Sequence, residues 1–163
     1  MYNASVKILG IDPGIARCGW GIVEMENGKW KMENCGCIET LAGLAVEKRL
    51  KIIYDSVLGI IKKYKPDILA IEELFFNTNA KTAFVVGQAR GVILLAAAEK
   101  NIPVSISTPL QVKVAVTGYG RGGKTQIGRM VKTILKLKEI PKPDDVTDAL
   151  AVALTCAFTN KFK

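Results

Sequence analysis

Glu26-Asn27-Gly28-Lys29 separates two β-patterned runs, residues 19–25 and 30–40. An Asn-Gly tip between such runs is the strongest short-range signal for a hairpin. Ahead of it, residues 5–12 form an aliphatic, β-branched run halted by Pro13-Gly14, so three strands stand next to one another. Downstream the spacing becomes helical. Leu50, Ile53, Tyr54, Val57, Leu58, Ile61 and Tyr64 predict a helix over about 44–64, ended by Pro66. Residues 68–71 are a short, wholly apolar strand of the kind covered on both faces. A long helix over about 80–100 follows, then a strand at 104–106 after Pro103. Ile127, Met130, Val131, Ile134 and Leu135 stripe another helix, and Pro141 and Pro143 open a last one over about 144–158. A hairpin followed by helix-separated strands predicts an α/β fold with a mixed sheet and helices on its faces. At 163 residues the chain is expected to form one domain, residues 1–163.

The chain contains no histidine. That removes Ser–His and Cys–His nucleophile pairs, His-ligated zinc and imidazole acid–base chemistry. Catalysis has to run on carboxylates, lysines, tyrosines, thiols or a metal held by oxygen. The four cysteines, Cys18, Cys35, Cys37 and Cys156, lack the paired short spacings of a zinc site. They read as reduced thiols in a cytosolic protein, since no secretory signal pattern opens the sequence. The apolar stretch 82–98 is interrupted by Gly87, Gln88, Arg90 and Gly91, which argues against a membrane span.

The net charge is +8, and it is uneven. Residues 111–163 carry ten of the 23 basic groups and four of the 15 acidic ones. From Lys113 to Lys138 there are seven basic residues (Lys113, Arg121, Lys124, Arg129, Lys132, Lys136, Lys138) and no acid. A one-sided stretch of this kind is an electrostatic footprint for a polyanion, because each cation near a phosphate releases condensed counterions.

Within that basic third stand Asp144, Asp145 and Asp148. Asp144 is placed to cap the final helix. Asp145 and Asp148, three apart, share a helix face and repel each other unless a cation lies between them. Asp12 closes the first strand and Glu72 the fourth. If those two strands are neighbours, both acids project from one end of the sheet, where the last helix can bring Asp145 and Asp148. Four oxygen donors without a histidine suit Mg2+ or Mn2+. Two such ions held by carboxylates are a recurring engine of phosphodiester hydrolysis, and the basic stretch would offset the repulsion between acids and phosphate.

Gly118–Thr125 also satisfies G-x-x-x-x-G-K-[ST], the phosphate loop of nucleotide hydrolases. Val112, Val114 and Val116 alternate before it as in a strand, although residues 109–117 equally fit a short helix with Pro109 at its first position. No apolar strand ending in an acid follows Thr125, so a P-loop NTPase is the weaker alternative.

Taken together, Ile8–Gly21 (ILGIDPGIARCGWG), Ala70–Phe75 (AIEELF), Gly87–Gly91 (GQARG), the lysine-bearing region 111–124 and Asp145–Ala153 (DVTDALAVA) resemble the RuvC-type Holliday-junction resolvases over almost the whole chain. The resemblance implies an RNase H-like fold, its first three strands antiparallel and the rest parallel, with helices on both faces. It implies a catalytic set of Asp12, Glu72, Asp145 and Asp148 binding two Mg2+ ions, with Mn2+ substituting. Glu72 is preferred to its neighbour Glu73 because the family motif places the acid directly after the strand. Lys113 and Lys124 match lysines near the scissile phosphate, which turns the glycine-rich loop with Arg121 into a DNA contact. Phe75 matches an aromatic that stacks on an unpaired base, with Phe76 beside it. The implied activity is symmetric nicking of four-way DNA junctions in recombination and repair, leaving 5′-phosphate and 3′-hydroxyl ends. A homodimer, cooperation with the RuvA–RuvB branch-migration complex and a bacterial cytoplasmic setting are implied as well. The helix over about 80–100, with Phe84, Val85, Val92, Ile93, Leu95 and Ala96–Ala98, offers a candidate dimer face. Another RNase H-like nuclease is the nearest chemical alternative.

Overall fold

The computed structural model describes residues 5–73 and 80–160. Strand β1 (Lys7–Asp12) pairs antiparallel with β2 (Arg17–Glu26), which pairs antiparallel with β3 (Lys29–Glu39). At the β2–β3 turn both Asn27 and Gly28 take positive φ, 52° and 74°, as a two-residue hairpin of matching twist requires. On its other side β1 pairs in parallel with β4 (Ile68–Glu72), and β4 with β5 (Val104–Ser107). The sheet order is therefore β3-β2-β1-β4-β5. Helix α1 (Val46–Tyr64) ends on Lys65 in the left-handed conformation, just before Pro66, and α2 is Ala80–Glu99.

Alternation along the strands assigns the two faces. Leu9, Ile11, Ile22, Leu69 and Ile71 point toward α1 and α2, where they form one core with Ile53, Val57, Ala89 and Ile93. Ile8, Val23 and Ala70 point the other way, into a second core with α3 (Pro109–Thr117), α4 (Lys124–Ile134) and α5 (Asp144–Thr159). Asp12 and Glu72 fall in the same alternating phase as Gly10 and Ala70, so both acids belong to the α5 face.

Residues 112–116 are helical. Thr108 caps α3 through its hydroxyl, Gln111 returns a bond to the Thr108 N–H, and Pro109 opens the first turn. Val112 and Val116, four apart, are buried on one side while Val114 is exposed. Gly118–Thr125 thus joins helix to helix, and the strand–loop–helix context of a nucleotide-binding P-loop is absent, which removes the NTPase reading. The expected cap of α5 is also corrected. Pro143 occupies the cap position and Asp144 is the first helical residue, with no side-chain capping bond.

Helix α2 is long and apolar enough to cross a membrane by length and composition. It packs on the sheet through Ala89, Ile93, Ala96 and Ala97, all fully buried, and leaves Phe84 and Leu95 exposed. All four cysteines are free, with Cys18 and Cys156 buried and Cys35 and Cys37 partly so.

Candidate active site

The site is built by letting a helix lie almost on the backbone of the sheet. A Cβ added at Gly10 would overlap the Ala149 carbonyl oxygen and come 2.8 Å from the Ala153 Cβ. One added at Gly19 would overlap the Asp145 carbonyl. Glycine at these strand positions is therefore a seat for α5, permitting an approach that any side chain would block. The N-terminal turn of α5 lands beside Gly19, and Gly19 is the ladder partner of Asp12. In the neighbouring strand Ile11 pairs with Ile71, which sets Glu72 next to Asp12.

Asp12, Glu72, Asp145 and Asp148 are all partly buried at this corner. The Asp12 carboxyl is pushed up to about 7, first by burial and then by the charges of Asp148, Asp145 and Glu72, with Lys124 acting against them. Burial and Asp148 raise Glu72, while Lys113 and Lys124 pull it down. Asp148 is raised by burial, opposed by Lys124, and raised further by Asp144 and Asp145. Asp12, Glu72 and Asp148 thus each feel at least one neighbouring acid through a medium that does not screen it fully. Glu73, by contrast, is exposed. Its N–H is bonded to the Ser107 carbonyl at 2.8 Å, which ties the end of β4 to β5.

Coupling reaches further than ligation. Among the described residues, no three acidic or cysteine side chains stand close enough to hold one metal ion together. Two of the four acids face basic side chains instead. Lys124 Nζ is 3.7 Å from Asp148 Oδ2, and Arg17 Nε is 3.4 Å from Asp145 Oδ2. The donor set nevertheless fits a hard divalent cation, because every donor is a carboxylate oxygen at a partly buried corner.

The basic residues expected here divide. Lys113, partly buried on α3, is near enough to act on Glu72, and Lys124 at the start of α4 acts on three of the acids. Arg121 is exposed in the α3–α4 connection. Phe75 and Phe76 lie outside the described residues. Sequence reasoning assigned no chemistry to Arg90, whose Nε donates a long 3.4 Å bond to the Glu72 carbonyl from α2. It also passed over Arg17. The signal available for the helix seat was the recurrence of Gly10, Gly19 and Gly21 inside strands.

A cleft of about 250 Å3 opens beside Asp148, lined by Lys124, Thr125, Ile140, Lys142 and Asp144 among others. A larger one, about 550 Å3, lies between the hairpin and the end of α4 and is lined by Lys29, Trp30, Met32 and Lys136, with no acid. It stands at the opposite end of the strands from Asp12, so its size does not make it the reactive site.

Comparison with known proteins agrees with this architecture. The family model described as crossover junction endodeoxyribonuclease RuvC matches residues 8–156. The crossover junction endodeoxyribonuclease RuvC of Desulforamulus reducens is 56% identical over 147 residues, covering 90% of each chain. That of Pelotomaculum thermopropionicum is 54% identical over 147 residues, again 90% of each. The solved structure of Thermus thermophilus RuvC in complex with Holliday junction substrate superposes with a TM-score of 0.89 at 38% identity, covering 94% of this chain and 93% of that one. Sequence and fold together place the chain in the RuvC family of crossover junction endodeoxyribonucleases.

Proposed function

We propose that this endodeoxyribonuclease resolves four-way DNA junctions by metal-assisted hydrolysis, with Asp12, Glu72, Asp145 and Asp148 holding two Mg2+ ions, or Mn2+ in their place. The observation that carries the reading is the gathering of four carboxylates on the α5 face, where burial first and then the neighbouring acids push Asp12 up to about 7. Held by these four acids, divalent ions would supply Lewis acidity, making a water a better nucleophile and stabilising the leaving oxygen of the phosphodiester. The chain's own residues do the rest. The acids fix the donor positions on a β1–β4 ladder and a seated helix, both rigid elements. Lys113 and Lys124 supply positive charge beside the acids, so that a phosphate can approach. Arg121, exposed in the glycine-rich connection, is placed to meet the DNA backbone, and Phe75 is assigned base stacking by family resemblance alone.

Two symmetric cuts require two sites related by a two-fold axis. The outer face of α2 supports a homodimer, because Phe84 is 66% and Leu95 53% exposed on a helix otherwise packed against the sheet. Sedimentation should give twice the chain mass, and Leu95→Glu should shift the protein toward monomer. Work in the bacterial cytoplasm alongside RuvA–RuvB belongs to the same reading. Co-sedimentation of the three proteins on one junction tests that association.

The decisive test of the chemistry is Asp148→Asn. Cleavage of a four-way junction in Mg2+ should fall by at least about a hundredfold. Binding should persist or tighten, because repulsion toward phosphate drops. Lost binding with cleavage retained per bound junction would contradict the role assigned to Asp148.

A further inference from the structure

We infer that Arg17 is a displaceable cation of this site, paired with Asp145 in the metal-free enzyme and turned to the DNA backbone when a divalent ion takes that carboxylate. The inference rests on the reading of the four acids as metal ligands, and it gives a role to a residue that the motif Ile8–Gly21 contains without assigning one.

Arg17 opens β2, two residues before the Gly19 on which the first turn of α5 is seated. Its ladder neighbour on β3 is Glu39, yet the guanidinium faces Asp145 across the helix–sheet junction. The pair lies at the rim: the Arg17 side chain is 56% exposed and that of Asp145 26%. Lys124 stands similarly on Asp148, 75% exposed. The cluster therefore has a cation on each flank, ion-paired with its two helical acids. That arrangement leaves both helical acids engaged by side chains.

Such a rim pair is weak. Exposed ion pairs change an equilibrium by no more than about five-fold, so a divalent ion shared by several carboxylates outcompetes it. Once released, the guanidinium keeps a short tether to the site and a planar fork of donors, which suits a phosphate better than a lysine does. A guanidinium left on Asp145 would hold that acid away from metal, and one left without a partner would meet the incoming polyanion first. Metal loading and DNA capture are then coupled through one side chain.

The test needs no cleavage. Mn2+ is titrated calorimetrically into DNA-free wild type, Arg17→Gln, Arg17→Ala and Asp12→Asn. Both Arg17 variants should bind Mn2+ more tightly, up to about five-fold. Four-way junction binding is then measured against salt in EDTA and in Ca2+, with the DNA checked to be uncut. In Ca2+ the Arg17 variants should lose about 0.9 from the slope of log affinity against log salt, the value of one phosphate contact. In EDTA they should match wild type. Unchanged or weaker Mn2+ binding in both variants, or the same slope change with and without Ca2+, overturns the inference while leaving the carboxylate reading intact. Wild type that fails to bind Mn2+, or Asp12→Asn that binds it equally well, removes both.

Discussion

The two faces of the sheet solve the same packing problem in opposite ways. Toward α1 and α2 the strands present Leu9, Ile11, Ile22, Leu69 and Ile71, all fully buried, and the helices are held off by a thick aliphatic layer. Toward α5 they present Gly10, Gly19, Gly21 and Ala70, and the helix comes down nearly to the backbone. The thick face resembles any α/β core and carries no acid in its buried layer. The thin face ends in Asp12 and Glu72, and the first turn of α5 brings Asp145 and Asp148 to the same corner. Stability is generic and can be supplied by bulk, whereas the metal site proposed above would need donors fixed relative to one another. Small residues under α5 provide that fixity.

Substitutions on the two faces should separate them most visibly. Gly10→Ala should cost about 3 kcal/mol or more, as overpacking against the α5 backbone, and should abolish cleavage even in the fraction that stays folded. Ile53→Ala on the other face should cost a similar ~2–5 kcal/mol through a cavity, yet leave kcat near wild type well below its melting temperature. Urea melts paired with single-turnover cleavage separate the two. Equal loss of activity per folded molecule would mean that the thin face is not special.

Proton linkage sharpens the contrast. The raised Asp12 binds a proton in the folded state that the unfolded chain, with an ordinary carboxylate, has already released. Stability of the metal-free protein should therefore fall as pH rises from about 4 through about 7 and level off beyond. Asp12→Asn should flatten that slope, and Mg2+ should stabilise the protein most at and above neutral pH. A smaller effect distinguishes the faces in DNA binding. Lys124→Ala should weaken junction affinity severalfold, reduce the salt slope by about 0.9 and slow cleavage, while Lys62→Ala on α1 should leave all three unchanged.

Much of this was legible in the sequence because the relevant signals are local. The Asn27-Gly28 turn, the Pro66 stop and the apolar strand 68–71 each carry their own chemistry, and each stands where expected. Asp12 and Glu72 could be expected together once two apolar strands ending in acids were taken as neighbours. Val112, Val114 and Val116 show where local pattern runs out: a three-valine alternation fits a strand, and the Thr108–Gln111 capping box settles it as a helix. Asp144 was displaced by one residue because Pro143 holds the cap position. The Arg17–Asp145 pair joins residues far apart in the chain, and it depends on how α5 crosses β2, which no periodicity encodes. The glycines were visible as letters of a motif, but their role as a contact surface appears only with the helix lying on them.

If the four carboxylates on the thin face together seat divalent metal, manganese should collect at that corner. Crystals of the protein soaked in Mn2+ and measured at the manganese absorption edge test it most directly. Two anomalous peaks bounded by Asp12, Glu72, Asp145 and Asp148 are expected, both lost in Asp12→Asn. Peaks confined to other acids, such as Glu24 and Glu33 at the far end of the strands, would contradict it.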